Sequence, residues 1–409
     1  MTQREIQRII REAGNIRISA SKEEKWTAEY LAKEAEKLGA KAWVEDFDVP
    51  VTTIHTAKLI AGDKEIPCKG YELCGSGEIE APLVYIADFD PISLSKVKGK
   101  IVLADSYPNT WTYHDMLDAG AVGFITYDGD VKWKDNDIDL RELRGYMAKG
   151  RKALGVNINA KDAVKLVKNL PMDVKIVIDQ TEGMGKSWNA VAEIPGECDQ
   201  WITMSCHLDS RPLAKGVWDN LTGCITLLNT LEMAAKAGKL HYGIRAVFCG
   251  SEERGLLGSK AYVADHEAEL DKILLNVNVD MIGSIMGKVM CMVNAEDSAM
   301  AYLNGFAAEK GFPVKTMVRV MSSDSSAFAD KGVPAYSFGK MAPHNQAVIH
   351  SRYDDGSTVS AKQIQEDANF ISEFTLKLAQ AANCPVPRKI PEKIKKELDE
   401  YFFRKRKDQ

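Results

Sequence analysis

The first fifty residues show one helical and one extended pattern of apolar positions. Apolar residues recur at helical spacing between Lys22 and Leu38, and Gly39 follows as a stop signal. The next segment, Ala42–Val49, alternates apolar and polar residues as a half-buried strand does. We therefore predict that a helix and then a strand open the fold.

Between residues 50 and 186 the pattern changes to short β-rich runs with helical stretches between them. Strands are predicted at Leu83–Ile86, Ile101–Ala104, Val122–Tyr127 and Val174–Ile178, and helices at Trp111–Ala119 and Lys161–Asn169. The sequence of this segment contains no cluster of possible metal ligands, so we look for the chemistry elsewhere.

From Asn189 onward, apolar strand-like runs alternate with helical stretches. The predicted strands are Trp201–Met204, Ile244–Cys249, Leu274–Val279, Lys288–Val293 and Ala335–Phe338. The predicted helices are Gly223–Ala237, Gly258–Asp265, Ala299–Lys310 and Ala361–Ala382. This alternation predicts an α/β sheet with helices on both faces, whose active groups lie at the carboxyl ends of strands.

Composition and charge narrow the class of protein. Of 409 residues, 45% are hydrophobic and 27% are charged, which is typical of a globular chain, and a net charge of −5 gives no basic surface for nucleic acid. No apolar run approaches the ~20 residues that cross a bilayer, and the charged start does not resemble a secretory signal. We therefore expect a cytoplasmic protein without membrane or nucleic-acid partners. The charged run Glu392–Lys407 predicts a solvated or docked terminal helix.

The informative residues are acidic groups and histidines just after apolar strands. His207 and Asp209 lie two residues apart on an extended chain and so face the same side, where an imidazole can bind a metal while the carboxylate orients it. Asp219 follows a glycine-bounded loop before an apolar helix. A carboxylate there can bridge two cations, although a plain helix N-cap is the alternative.

Glu252 and Glu253 follow the predicted strand Ile244–Cys249. Two adjacent ionised glutamates at the end of a buried strand repel each other, and a nearby cation removes that conflict. One of them can then bind the metal while its neighbour transfers protons. The alternative is a solvated acidic pair at a helix start.

Two later positions complete the pattern. Asp280 ends a strongly apolar run, where an uncompensated charge is costly. His350 is followed by Asp354 and Asp355, either of which could hold its imidazole in place, and His344 is a rival candidate for the same ligand position. Each motif is ambiguous alone.

Taken together and in this order, the five motifs resemble those of the co-catalytic zinc aminopeptidases. They are H-x-D-S, D-N-x-x-G, S-E-E-x-G-x-x-G-S, N-x-D-M-x-G and a late histidine. That group, peptidase family twenty-eight, also includes glutamate carboxypeptidases. The resemblance covers about residues 189–382 and the helix Lys22–Leu38. The segment from Gly99 to Ile125 resembles the protease-associated domain that is often inserted in this family.

The resemblance implies a zinc exopeptidase fold, with a mixed, mostly parallel sheet covered by helices on both faces and an inserted β-rich domain. The implied divisions are an N-terminal helix and strand of the peptidase domain (1–49), an inserted protease-associated-like domain (50–186), the di-zinc peptidase domain (187–384) and a charged tail (385–409).

The same resemblance implies two Zn²⁺ per chain, a peptide substrate and metal-assisted amide hydrolysis. Cobalt or manganese would fit the same ligands. The implied roles are His207 and Asp280 on one ion, Glu253 and His350 on the other, Asp219 bridging them, Glu252 as general base and acid, and Asp209 orienting His207.

Substrate contacts are less sharply indicated. The segment Met321–Phe328 resembles the family's S-D-x-x-x-F loop but lacks the frequent histidine after its aspartate, so Asp324 is expected to position loops or substrate. Met281, Tyr336 and Phe338 are candidates for an apolar substrate pocket, with ordinary core packing as an equal alternative.

Three further alternatives stay open at this point. A carboxypeptidase or a glutaminyl-cyclase-like enzyme could use the same scaffold, and a non-catalytic receptor-like binding protein could retain it. The inserted segment could restrict access to the site or build a homo-oligomer interface.

Overall fold

Local capping signals set the starts of several helices in the computed structural model, which describes residues 1–134, 137–343 and 346–407. Ser21 and Ser360, for example, accept hydrogen bonds from the backbone N–H groups of Glu24 and Gln363 at the starts of their helices. The helices are α1 (Gln3–Ala13), α2 (Lys22–Lys37), α3 (Pro91–Leu94), α4 (Thr110–Asp118), α5 (Gly145–Ala148), α6 (Ala160–Lys168), α7 (Thr222–Lys236), α8 (Leu257–Asp265), α9 (Asp297–Lys310), α10 (Ser325–Asp330), α11 (Ala361–Ala379) and α12 (Glu392–Tyr401).

The strands follow the apolar runs of the sequence closely. All five strands predicted after residue 189 are present, within β9, β10, β11, β12 and β14 of the numbering below. The strands are β1 (Lys41–Ala61), β2 (Lys64–Ile66), β3 (Cys68–Gly70), β4 (Gly77–Ile86), β5 (Ile101–Ala104), β6 (Gly123–Asp128), β7 (Gly155–Asn159), β8 (Asp173–Ile194), β9 (Trp201–His207), β10 (Gly243–Cys249), β11 (Ile273–Val279), β12 (Lys288–Asn294), β13 (Val314–Met317) and β14 (Ala335–Met341).

The chain folds as two compact units. The first unit joins Met1–Val49 to Lys186–Gln409, and the second is Pro50–Gly185. Each unit has its own hydrophobic cluster of buried residues.

The sheet of the first unit is mixed and mostly parallel. β10, β9, β11 and β14 are neighbours in that order and run parallel, with Cys249 of β10 paired to His207 of β9. β12 is antiparallel to β14 and parallel to β13, and residues 190–194 of β8 are antiparallel to β10. The predicted fold class is confirmed.

Helices cover both faces of this sheet, as strand β10 illustrates. Ile244, Ala246 and Phe248 belong to the large cluster that includes residues of α1, α2, α7 and α11. Val247 and Cys249 point the other way, into a cluster that contains residues of α8 and α10. Alternate residues of one strand therefore pack against different helices, as the period of two along a strand requires.

The second unit is built around four parallel strands, β4, β5, β6 and β7, in that order. β3 pairs antiparallel with β7, residues 173–178 of β8 pair antiparallel with β4, and β1 pairs with β2. Helices α4 and α6 contribute Tyr113, Met116, Ala163 and Leu166 to the core of this unit.

Two terminal helices complete the first unit. No element is assigned before Lys22 from the sequence, although Ile6, Ile9 and Ala13 recur at helical spacing. They form the buried stripe of α1, which begins at a capping box of Thr2 and Glu5. α12 is docked, since its Ile394 and Leu398 are buried in a small apolar cluster. Among the described residues, no helix has the length and apolarity needed to span a membrane.

Candidate metal centre

Three parallel strands bring polar residues to one edge of the first unit's sheet. β9 ends at His207, β10 at Cys249 and β11 at Val279. Because parallel strands present their carboxyl ends at the same edge, the residues just beyond those ends are neighbours. These residues are Asp209, Glu252, Glu253 and Asp280.

His207, Asp219 and Asp280 form a first group of facing ligand atoms. His207 Nε2 lies 3.0 Å from Asp219 Oδ1 and 3.5 Å from Asp280 Oδ1. All three side chains are buried, and one ligand atom from each lies within 4.8 Å of the others. The structure thus brings together residues that are 73 positions apart in the chain from first to last.

Asp219 also belongs to a second group, with Glu253 and His350. His350 Nε2 lies 3.2 Å from Asp219 Oδ2 and 3.2 Å from Glu253 Oε2. Each oxygen of the Asp219 carboxylate therefore faces a different imidazole. Within the described part of the chain, these two groups are the clusters of three or more such side chains whose ligand atoms are close enough to hold a metal ion.

Asp219 projects from a tight turn, Val217–Leu221, that immediately precedes α7. The backbone N–H groups of Trp218 and Asp219 donate to Asp354 Oδ1 and Oδ2, at 2.8 and 3.0 Å. The residue at the N-cap of α7 is Leu221, so the interpretation of Asp219 as a plain N-cap is wrong. Asp354 instead directs the Asp219 carboxylate toward the two imidazoles.

Asp209 joins two parts of the site. Its Oδ1 and Oδ2 accept hydrogen bonds from the backbone N–H groups of Glu252 and Glu253, at 3.0 and 3.2 Å. Its backbone oxygen lies 3.3 Å from His207 Nδ1, and its Oδ1 lies 3.5 Å from the same nitrogen. Asp209 therefore contacts the histidine, as the sequence suggests, and it also holds the turn that bears both glutamates.

The carboxylates of the site crowd one another. Burial raises the pKa of Glu252 well above its usual range, and the carboxylate of Glu253 adds to this effect. Burial and the charge of Asp219 raise the pKa of Glu253, and burial raises the pKa of Asp280. These shifts are those of a site in which negative charge exceeds positive charge.

The imidazoles respond in the opposite direction. Burial lowers the pKa of His350, but the carboxylates of Glu253 and Asp219 outweigh it and raise the pKa to about 10. Burial raises the pKa of Asp219, but His207 and His350 outweigh it and leave the pKa well below its ordinary value. A bound cation would favour the unprotonated imidazoles instead, because metal-binding histidines must be neutral.

The donor set fits divalent cations of the zinc type. Imidazole nitrogens and carboxylate oxygens are the ligands that Zn²⁺ takes in catalytic sites, where three protein ligands leave a further position open. Asp280 Oδ1 is buried and makes no well-formed hydrogen bond within the described residues. A buried oxygen of this kind is costly unless a cation faces it.

Asp324 and Met281 lie beside the site. Asp324 directly precedes α10 and is 2% exposed, and burial raises its pKa to about 7. Met281 follows Asp280, is half-buried and donates its backbone N–H to Asn220 Oδ1. Their positions are compatible with the expected roles in holding loops or lining a pocket.

Two of the pocket candidates are core residues instead. Tyr336 is 1% exposed and donates its hydroxyl to the backbone oxygen of Ala299 at 2.9 Å. Phe338 is fully buried, and both rings pack against Phe374 of α11. The expectation that they line a substrate pocket is therefore wrong. His344, the rival to His350, lies outside the described residues.

Sequence reasoning missed Arg17, which is 1% exposed between two ligand-bearing loops. Its guanidinium donates to the backbone oxygens of Leu208 at 2.7 Å, Lys215 at 2.6 Å and Gly216 at 2.9 Å. A single arginine thereby links the chain after His207 to the chain before Asp219. Its acceptors are all backbone atoms, which leave no signal in the sequence.

Comparisons with known proteins find a family model and several similar proteins. Residues 189–375 match the model described as peptidase family M28. The chain is similar to "Aminopeptidase YwaD" of Bacillus subtilis (strain 168), with 26% identity over 95% of this chain and 85% of that protein. It is 32% identical to "Leucine aminopeptidase 2" of Trichophyton rubrum over 43% of this chain, but spans only 38% of that protein.

A solved structure shares the fold over almost the whole length. It is described as "BSAP, a zinc aminopeptidase from Bacillus subtilis", with a TM-score of 0.76 and 20% identity over 96% of this chain and 98% of that chain. At this identity the likeness concerns the fold.

Proposed function

We propose, from the premise that residues 189–375 are a domain of peptidase family M28, that this chain is a zinc aminopeptidase with two metal ions. The observation that carries the proposal is the sharing of Asp219 between two three-residue groups of ligand atoms. A site for one ion would need only one of these groups, whereas here both His207 with Asp280 and His350 with Glu253 face the carboxylate of Asp219. Zinc is the expected metal, and cobalt or manganese would fit the same ligands.

The proposed ligands follow the two groups. His207 and Asp280 would hold one ion, Glu253 and His350 would hold the other, and Asp219, which belongs to both groups, would be shared between them. When bound, such an ion pair polarises the scissile carbonyl and lowers the pKa of a water molecule. Asp354 and Asp209 orient this set through the backbone contacts described above.

Glu252 is the proposed general base and acid. It is half-buried, and its carboxylate lies near those of Glu253 and Asp280, so it can exchange a proton with a water molecule held beside the proposed ligands. Its carboxylate takes a proton from the attacking water and delivers it to the leaving amine nitrogen. Asp209, which accepts the Glu252 backbone N–H, keeps this carboxylate at the site edge.

Aminopeptidase action is favoured over the alternatives by the names of the relatives. YwaD and leucine aminopeptidase 2 are both named as aminopeptidases. A carboxypeptidase would prefer substrates with a free carboxylate, and a glutaminyl cyclase of this fold would carry one zinc. The second unit, with its own core, is proposed to be the protease-associated-type insertion.

The test combines a substrate series, a metal count and one variant. Amino-acid p-nitroanilides with a free amine should be cleaved, and their N-acetylated forms should not. Elemental analysis should find two metal ions per chain. Glu252→Gln should retain both metals and lose about 10²–10⁴-fold in kcat, while exposed Glu23→Gln should behave as the parent does. Cleavage restricted to N-blocked substrates, or one tightly bound metal, would contradict the proposal.

A further inference from the structure

The turn Gly250–Glu253, which carries both glutamates of the site, is held from outside by buried side chains. Four successive backbone N–H groups donate to side-chain oxygens of other segments. The pairs are Gly250 to Asn189 Oδ1 (2.9 Å), Ser251 to Glu24 Oε1 (2.9 Å), Glu252 to Asp209 Oδ1 (3.0 Å) and Glu253 to Asp209 Oδ2 (3.2 Å).

Ser251 is the strained member of this turn. Its φ is +52°, in the left-handed region that residues with a side chain rarely adopt. Such a conformation persists only where the surrounding contacts determine it. Besides its N–H bond to Glu24, Ser251 donates its hydroxyl to Ser187 Oγ at 2.8 Å, and Ser187 donates in turn to Glu24 Oε1 at 2.9 Å.

Glu24 is the centre of these contacts. It lies in the first turn of α2, is fully buried, and accepts a further hydrogen bond at Oε2 from the backbone N–H of Ala20 at 2.7 Å. A Cβ at position 250 would lie 2.8 Å from Glu24 Oε1, so the glycine there lets the carboxylate approach the turn. Burying an acid is costly, and an apolar residue would fill the same face of α2 more cheaply.

We propose that Glu24 is a positioning residue for the base-bearing turn. By accepting the Ser251 N–H it holds the left-handed residue in place, and this sets the direction in which Glu252 and Glu253 leave the turn. Glu24 acts through the backbone and touches neither substrate nor metal ligand. The inference rests on the proposed function, because it states that Glu24 of α2, which lies outside the metal-ligand motifs, affects the rate of peptide hydrolysis.

The decisive variant is Glu24→Met, which keeps about the length of the side chain but removes both acceptor oxygens, whereas the amide oxygen of a glutamine could still accept the Ser251 N–H. It should lower kcat by about 10- to 100-fold and change KM by less than about threefold, because the reacting groups are displaced while binding contacts remain. Glu23→Gln, exposed on the same helical turn, should match the parent.

A second control separates positioning from stability. Glu34→Gln removes a buried acid of the same helix that pairs with Arg8 and Lys37, far from the turn in sequence. It should lower the thermal midpoint without lowering kcat. Equal losses of kcat in Glu34→Gln and Glu24→Met, measured well below both midpoints, would overturn the proposal.

Hydrogen–deuterium exchange of the full-length protein gives a readout that does not depend on activity. Peptides covering Gly250–Glu253 should exchange faster in Glu24→Met than in the parent or in Glu23→Gln. Unchanged exchange there would overturn the inference, whereas a parent without peptidase activity would overturn only the proposed function. If Glu24→Met does not fold, Ser187→Ala replaces it. This variant removes the hydroxyl that bridges Ser251 and Glu24 and should speed exchange at the same peptides, and unchanged exchange would count against the proposal.

Discussion

The carboxylate of Asp354 accepts the backbone N–H of Asp219 at 3.0 Å, across 135 residues of sequence. Its other oxygen accepts the N–H of Trp218 at 2.8 Å. The contact ties the segment after His350 to the turn that presents the shared carboxylate. Burial raises the pKa of Asp354 to about 6, and the negative charge of Asp219 contributes to this rise. The ionisation of Asp354 therefore depends on the charge of Asp219.

We expect Asp354→Asn to weaken metal binding. The amide has one acceptor oxygen where the carboxylate has two, so one of the N–H groups of Trp218 and Asp219 loses its partner. Substitution of residues that hold metal ligands in this way typically costs about 10- to 100-fold in affinity. Competition with a chromophoric chelator would measure the loss. Exposed Asp355→Asn should bind metal as the parent does, and a similar loss there would contradict the assignment.

The choice between His350 and His344 can be settled by paired variants. His350 Nε2 faces both Asp219 and Glu253 at 3.2 Å, so His350→Ala should remove one of the two metal ions and reduce kcat by more than about 10³-fold. His344→Ala should keep both metals. Elemental analysis and kinetics on the two proteins check this, and a metal deficit in His344→Ala instead would reverse the assignment.

Much of the fold and of the centre could be predicted because the signals are local. Apolar runs such as Leu274–Val279 form buried strands, and the polar residue that follows each run lies at the sheet edge. The order of His207, Asp219 and Asp280 then suggested their convergence. Apolarity alone does not separate pocket from core, so the sequence left both interpretations open for Tyr336 and Phe338, and their packing on Phe374 identifies them as core residues.

Residues that support the site from a distance leave weaker signals. Arg17 donates only to backbone oxygens, so no partner residue marks it in the sequence. Glu24 did leave a trace, because it shares the buried face of α2 with Ala28 and Leu31 at helical spacing. An acid on an apolar stripe needs a partner from elsewhere in the fold, and sequence cannot say which segment supplies it.

Arg17 should be a strong determinant of stability. Arg17→Met fills similar space but removes the donor to the backbone oxygens of Leu208 and Lys215 and one of the two donors to Gly216, and it should cost at least about 3 kcal/mol. Arg17→Lys should also destabilise, since an ammonium cannot match the planar fork of donors. Thermal unfolding measures both. Arg11→Met, exposed on α1, is the matched control, and a loss as large there would remove the special role of Arg17.

The pair of Arg8 and Glu34, which links α1 to α2, predicts a pH dependence of stability. Burial raises the pKa of Glu34, but hydrogen bonds from Arg8 and Lys37 outweigh it and lower the pKa below the ordinary value of 4.5. An acid with a depressed pKa in the folded state stabilises the protein above its unfolded pKa, and this contribution is lost as the pH falls through the folded pKa.

Glu34→Gln should therefore destabilise the protein at neutral pH by about 1 kcal/mol, a modest amount because the Arg8 side chain is 33% exposed and solvent screens the pair. The difference from the parent should shrink below pH 4.5 and disappear once the pH has fallen through the lowered folded-state pKa of Glu34. Thermal midpoints of both proteins across this range give the measurement, with exposed Glu36→Gln as the control. A deficit that stays constant down to acid pH would show that Glu34 stabilises by packing rather than by its charge.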